Sequence, residues 1–183
     1  MLRAFQSNQT VRGLVFMPGA TDEFYMFRRA KAGLTNPVPS LLDAVIALTN
    51  QTLIRATFRP PLLLLHTDED PVEPIIQIEH EPTAEKLQHA RFVPHVLYND
   101  RDWDFIQPVL WQKLKLDFHP WRYTQDSWHF YRHSFAGWNL SGWEALQAVA
   151  AAGKSRFTVR KGSVVFECDT RIRAVPKLEA FPK

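Results

Sequence analysis

Cysteine is nearly missing from this chain: Cys168 is the single one. That excludes an intramolecular disulfide and leaves no thiol pair for zinc or redox chemistry. A lone cysteine in a strand-like run is a small buried hydrophobe, and it leaves the compartment open. Glycine is scarce as well, at 7 residues, and no phosphate-cradling loop is present. Ala152-Gly-Lys-Ser155 lacks the first glycine of that motif and reads as the cap of a helix C-terminus. No Gly-x-Ser-x-Gly elbow occurs, so neither Ser134 nor Ser141 has the setting of a hydrolase nucleophile. No motif implies a cofactor.

Long apolar runs are absent too. The longest, Leu62–Leu65, has the length of a strand, against about 20 residues for a helix that crosses a bilayer. Met1–Phe5 is basic but lacks the apolar centre of a signal peptide. Gly13–Phe27 already reads as folded structure, which argues against a mitochondrial presequence. The chain as it stands reads as cytoplasmic, and as periplasmic if an export signal has been trimmed from it. Asn8, Asn50 and Asn139 open Asn-x-Ser/Thr triplets, which matter only in a secreted eukaryotic chain. Neither sign of charge dominates: 22 Lys and Arg face 19 Asp and Glu, a formal +3. Nucleic-acid binders gather basic residues into a stripe, whereas here they alternate with acids. Nucleic acid is therefore not the expected partner. With 45% hydrophobic residues the composition is that of an ordinary globular domain.

What the sequence does contain is an internal repeat. Leu14-Val-Phe16-Met-Pro18 matches Leu116-Asp-Phe118-His-Pro120, and Asp22–Leu34 matches Asp126–Trp138. Ser40–Asp70 then matches Ser141–Arg171 without a gap, sharing Ser40/Ser141, Ala44/Ala145, Ala47/Ala148, Arg55/Arg156, Thr57/Thr158, Arg59/Arg160 and Asp68/Asp169. The structural signals recur in the same order. Both copies show an aromatic strand (Phe24–Phe27, Trp128–Tyr131) and then a turn carrying Ala-Gly. Ser40-Leu-Leu-Asp43 and Ser141-Gly-Trp-Glu144 both have the form of a helix capping box. Leu42, Val45, Ile46 and Leu48, or Trp143, Leu146 and Val149, recur at helical spacing toward a core. Arg55–Arg59 and Arg156–Arg160 alternate with period two, as half-buried strands do. A turn follows, Pro60-Pro61 or Lys161-Gly162, and then an apolar strand, Leu62–Leu65 or Val164–Phe166. Pro-Pro removes two backbone donors, so the first copy is expected to carry the wider loop. Ile75–Ile78 and Val175–Leu178 are candidates for one strand more in each copy.

These readings give an α+β protein of two tandem β-α-β-β units, residues 1–79 and 116–183, with mixed or antiparallel sheets and helices on one face. Residues 80–115 form a connecting segment with one or two helices, at Thr83–Arg91 and Trp103–Leu114, where Pro108 should mark a start or a kink. Each unit alone has a small core, so the two are expected to fuse about a pseudo-twofold axis.

At Val38–Thr52 and Asn139–Gly153 the pattern resembles the short N-terminal domain of secretins and TonB-dependent receptors. There a polar cap, an acid and Ala-Leu lead into a helix followed by two strands. The resemblance implies a non-catalytic docking and ring-assembly module of bacterial envelopes.

Few residues suggest chemistry. His129 and His133 stand near Asp126 and would make a metal site on a helix. On a strand the same spacing separates the rings by about 13 Å, too far for one ion, and the paired positions are Tyr25 and Arg29. His66-Thr-Asp68-Glu-Asp70 offers carboxylates to a divalent cation but lacks the spacing of a calcium loop, and reads as an acidic strand end. Arg28/Arg132 and Asp22/Asp126 recur in both copies and read as structural charges. All 6 Trp fall between Trp103 and Trp143. Trp128, Phe130, Tyr131, Arg132 and Trp138 are the candidate binding residues, since large aromatics dominate cores and protein interfaces alike. The expectation is a non-enzymatic interaction or assembly domain with a protein partner or itself. The alternative is a small-ligand-binding or metal-dependent hydrolytic protein with its site between the repeats.

Overall fold

A computed structural model of the chain describes residues 10–17, 29–67, 73, 75–91, 95–101, 103–121, 133–153 and 155–168. Its elements run β1 (Gly13–Met17), α1 (Leu41–Gln51), β2 (Arg55–Arg59), β3 (Leu62–His66), β4 (Ile75–Ile78), α2 (Glu81–His89), β5 (His95–Arg101), α3 (Trp103–Leu114), β6 (Asp117–Trp121), β7 (His133–Trp138), α4 (Gly142–Ala152), β8 (Ser155–Arg160) and β9 (Ser163–Cys168). The strands form two mixed sheets, ordered β2-β3-β1-β7-β5 and β4-β8-β9-β6. The fold is α+β. Among the described residues no helix is long and apolar enough to cross a membrane. The aromatic segments Phe24–Phe27 and Trp128–Tyr131, the charges at Asp22, Arg28, Asp126 and Arg132, and Val175–Leu178 lie outside the described residues.

Both capped helices begin where the serines place them. Asp43 N–H donates to Ser40 Oγ at 3.1 Å, and Ser40 N–H donates to Asp43 Oδ2 at 2.8 Å. Glu144 N–H and Ser141 N–H make the same reciprocal pair at 3.1 and 2.8 Å. Each box satisfies two donors that the first helical turn leaves open. Glu144 is also ion-paired with Arg12, whose Nη1 donates to the Asn139 carbonyl at 3.1 Å. The residue before β1 thus clamps the start of α4.

Each helix feeds a hairpin whose second strand lies beside an earlier strand. β3 pairs antiparallel with β2 and parallel with β1; β9 pairs antiparallel with β8 and parallel with β6. Leu14 stands opposite Leu63, and Phe118 opposite Val164. By strand register Leu14 therefore corresponds to Phe118, not to Leu116 as the sequence match has it. A slip of two residues preserves the in–out alternation of a strand, so sequence pattern alone does not reveal it. Both hairpins close through two residues, with Arg59 opposite Leu62 and Arg160 opposite Ser163. The wider loop expected at Pro60-Pro61 is not there; that peptide bond is cis.

Two strands cross between the halves. β4 follows β3 in the chain but pairs parallel with β8, and β7 precedes α4 but pairs antiparallel with β1. The Ala136-Gly137 turn of the sequence reading is part of β7. A Cβ on Gly137 would meet the Leu140 side chain, so the glycine serves a close approach inside a sheet. The connecting segment holds α2 and α3 as expected, but also β5, which pairs antiparallel with β7. Asn99 and Asp100 are poor strand formers and masked it. Helix α3 starts at Trp103 and contains Pro108.

Side chains alternate across the five-stranded sheet. Leu14, Leu63 and Leu65 form one cluster with Leu41, Leu48 and Ile54, which places α1 on that face. Val15, Met17, Leu62 and Leu64 join the larger cluster on the other face, together with α4 and with Phe118, Phe157, Val159, Val164 and Phe166 of the four-stranded sheet. Helix α4 thus lies between the two sheets and touches β1, β3, β7 and β8. The layers run helix, sheet, helix, sheet. Among the described residues α4 is covered on both sides, and α1 packs against one sheet face. Helices on one face describe the four-stranded sheet only.

Ser141→Ala is expected to cost about 1 kcal/mol, read as a lower denaturation midpoint at unchanged slope. Gly142 admits no side chain cheaply: a Cβ there would stand 3.0 Å from the Leu87 carbonyl oxygen and 2.8 Å from Leu114 Cδ2. Gly142→Ala should cost roughly 1–3 kcal/mol in the same measurement. Bonds from the Ser40 backbone N–H and then its hydroxyl hold the Asp43 carboxyl below the usual carboxylate range. The lowered value belongs to the folded state, so this contribution is present above the ordinary carboxylate pKa and is lost as the pH falls through the folded one. Ser40→Ala keeps the backbone N–H and loses only the hydroxyl, so its stability gap from the wild type should narrow in acid without closing, as pH-dependent denaturation would show.

Candidate docking surfaces

The residues singled out from sequence are placed unevenly. Asp126, Trp128, His129, Phe130, Tyr131 and Arg132 lie outside the described residues. His133 opens β7 opposite Arg101. Trp138 ends that strand half-buried, packed on the cluster of Leu14, Leu41 and Leu63 under α1. Trp143 is half-buried elsewhere, edge-on to Phe157 at 5.6 Å, and Trp111 is exposed on α3 with Lys115 Nζ 5.2 Å from its ring centre. Among the described residues the tryptophans therefore sit in separate places. His66 is buried in β3, its Nε2 2.9 Å from Thr57 Oγ1 across the hairpin; Asp68 to Asp70 lie outside the described residues. The Ser141 hydroxyl accepts from Glu144 N–H in the cap. Among the described residues no three His, Cys, Asp or Glu side chains are grouped to hold a metal ion.

Helix α1 presents a face that the sequence pattern misassigns. Leu41, Ala44 and Leu48 are its buried residues. Leu42 and Ile46, expected in the core, remain 66% and 47% exposed. The helix carries two apolar stripes, and the one through Leu41, Ala44 and Leu48 meets the sheet. The other runs through Leu42, Ile46 and Thr49 to Leu53, which is 75% exposed just past the helix end. The only charged residue of α1 is Asp43, which is engaged in the cap. A helix facing solvent ordinarily puts charged residues there. Helix α4 has a comparable apolar girth, but both of its sides are covered.

The second surface lies at the edge of the five-stranded sheet. β2 is its terminal strand, and among the described residues no strand pairs with its outer side. Arg55 is exposed, and Phe58 is 44% exposed. Arg55, Thr57 and Arg59 alternate onto the same face as Leu62 and Leu64, the face that α4 covers. There the hairpin and α4 leave an open-sided cavity of about 350 Å³. Leu62, Leu64 and Ala151 supply apolar wall, Gln147 an amide, and Arg59 and Glu73 a loose ion pair of 3.8 Å. The exposure of Leu42 and Ile46 had no signal in the sequence. The cavity had none either, since it depends on α4 coming from the other half of the chain.

No protein-family model matches this chain, and comparison with curated proteins and with solved structures finds no match.

Proposed function

We propose that the chain is a non-catalytic assembly domain, and that it associates with a second copy of itself through the outer face of α1. The observation that carries this reading is the uncharged stripe of Leu42, Ile46, Thr49 and Leu53 on an otherwise well-packed helix. Water contact with so much apolar surface is costly, and contiguous apolar patches of this kind mark contacts between proteins. A twofold contact sets a surface against itself, so any charge near the axis repels its own copy. This stripe carries none. Inside the chain, the corresponding side of α4 is already covered by protein.

The resemblance to the short N-terminal domain of secretins and TonB-dependent receptors points the same way. A capped helix feeding two strands, the order found there, recurs in α1–β2–β3 and α4–β8–β9. We hold that membership, and the duplication itself, as part of the proposal. The rival reading, a small-ligand site between the halves, has one observation in its favour: the cavity between the β2–β3 hairpin and α4.

Sedimentation velocity from low to high micromolar protein tests the assembly reading. The expected result is a concentration-dependent shift to dimer. Leu42→Glu with Ile46→Glu should remove it while leaving the far-ultraviolet spectrum and melting temperature nearly unchanged, because both side chains are exposed. Burial of each wild-type side chain contributes roughly 1.5–3 kcal/mol when complete, so dimerisation should weaken at least tenfold. A wild-type chain that stays monomeric at every concentration overturns the proposal.

A further inference from the structure

We infer that the outer edge of β2 takes an extended, acidic peptide segment of another protein by strand addition, with one apolar side chain of that peptide seated in the cavity beside α4. This site adjoins the end of the α1 stripe, where Arg55 lines one open recess with Thr49 and Leu53, but its strand edge and cavity do not depend on that stripe. β2 ends its sheet, and an edge strand offers a row of backbone N–H and C=O groups to any chain that can lie along it. Side chains of an added strand alternate between the two faces. Every second one would fall on the face of Arg55, Thr57 and Arg59. At the Arg59 end that face opens into the cavity over Leu62 and Leu64, with Ala151 opposite. A large apolar side chain placed opposite Arg59 would lie along the arginine's aliphatic stem and fill that space. The residue four positions along the same peptide would then face Arg55.

Charge decides the occupant. β2 carries two arginines and no acid. A second copy is a poor guest, because antiparallel pairing of β2 with itself sets Arg55 against the Arg59 of the other copy, and like charges directly opposite destabilise a pair. The same arrangement favours a strand with a carboxylate opposite Arg55. Glu73 already neutralises part of the Arg59 charge, so the peptide requires one acid and one apolar residue at a spacing of four, both on one face. Pro60 and Pro61 bound the site at the hairpin.

Fluorescence anisotropy with a labelled, end-blocked peptide of strand-forming sequence tests the inference, the peptide carrying Leu and Asp at that spacing. Three controls vary it: Lys for Asp, Ala for Leu, and N-methylation of alternate amides, which abolishes strand pairing without changing side chains. Saturable binding of the parent peptide is expected, with a roughly tenfold loss in each control. Arg55→Glu should lower affinity for the Asp peptide and raise it for the Lys peptide, a reversal that misfolding would not produce. Gln147→Phe, filling the cavity from its half-buried wall, should weaken only the peptides that carry Leu. The Leu42→Glu, Ile46→Glu protein should bind as the wild type does, so a failed assembly reading leaves this result intact. Absence of saturable binding overturns the inference. So does binding indifferent to N-methylation, which would mean that the cavity takes apolar groups of any kind, small molecules included.

Discussion

The arrangement depends on a single alanine-rich helix being acceptable to two sheets at once. Ala145, Ala148, Ala150, Ala151 and Ala152 of α4 are all buried, with Leu146 and Val149 between them. Small side chains let backbone layers approach closely on both sides without interdigitating bulk, and alanine gives up no rotamer entropy on burial. The bulky partners come from the sheets: Leu62 and Leu64 from one, Phe157 and Phe166 from the other. Exchange the character of helix and sheets, and the layers would be forced apart. The clamp of Arg12 on Glu144 belongs to the same design, because it ties the start of α4 to the residue that leads into β1.

The crossing strands follow from that layering. With α4 held between the sheets, the chain entering and leaving it must pass alongside both. β7 runs into α4 from the five-stranded sheet, and β8 leaves it into the four-stranded one. The half that owns α4 thus contributes to each sheet, and β4 returns the exchange from the other half. Neither half owns a complete sheet. The larger core cluster accordingly draws on residues from Val15 to Phe166.

Local signals in the sequence were legible wherever a side chain acts on its own neighbourhood. The capping serines fixed both helix starts, and alternation at Arg55–Arg59 and Arg156–Arg160 marked both hairpins. What stayed hidden depends on partners far along the chain. Ala136-Gly137 looks like a turn until Leu140 and the neighbouring strands are in place. Leu42 and Ile46 look like core residues because periodicity reports apolar spacing, not which of two stripes finds a sheet. The order of the layers, too, was out of reach, because it depends on α4 finding a sheet on each of its sides. Trp128, Phe130, Tyr131 and Arg132 lie outside the described residues, and the exposed surfaces on α1 and β2 depend on which helix stripe and which strand edge the rest of the chain leaves uncovered.

The pairing of β4 with β8 also bears on how the molecule is made. Ile75 must wait for Phe157, and β1 must wait for β7, so most of the chain has to leave the ribosome before either sheet can be completed. Contacts between residues so distant in sequence slow folding, because the loop must close before the contact rewards it. During synthesis the first hairpin would stand with its Leu62 and Leu64 face uncovered until α4 arrives. The two arginines on β2 would set like charges against each other wherever two such edges met in register, which opposes edge-to-edge pairing of nascent chains.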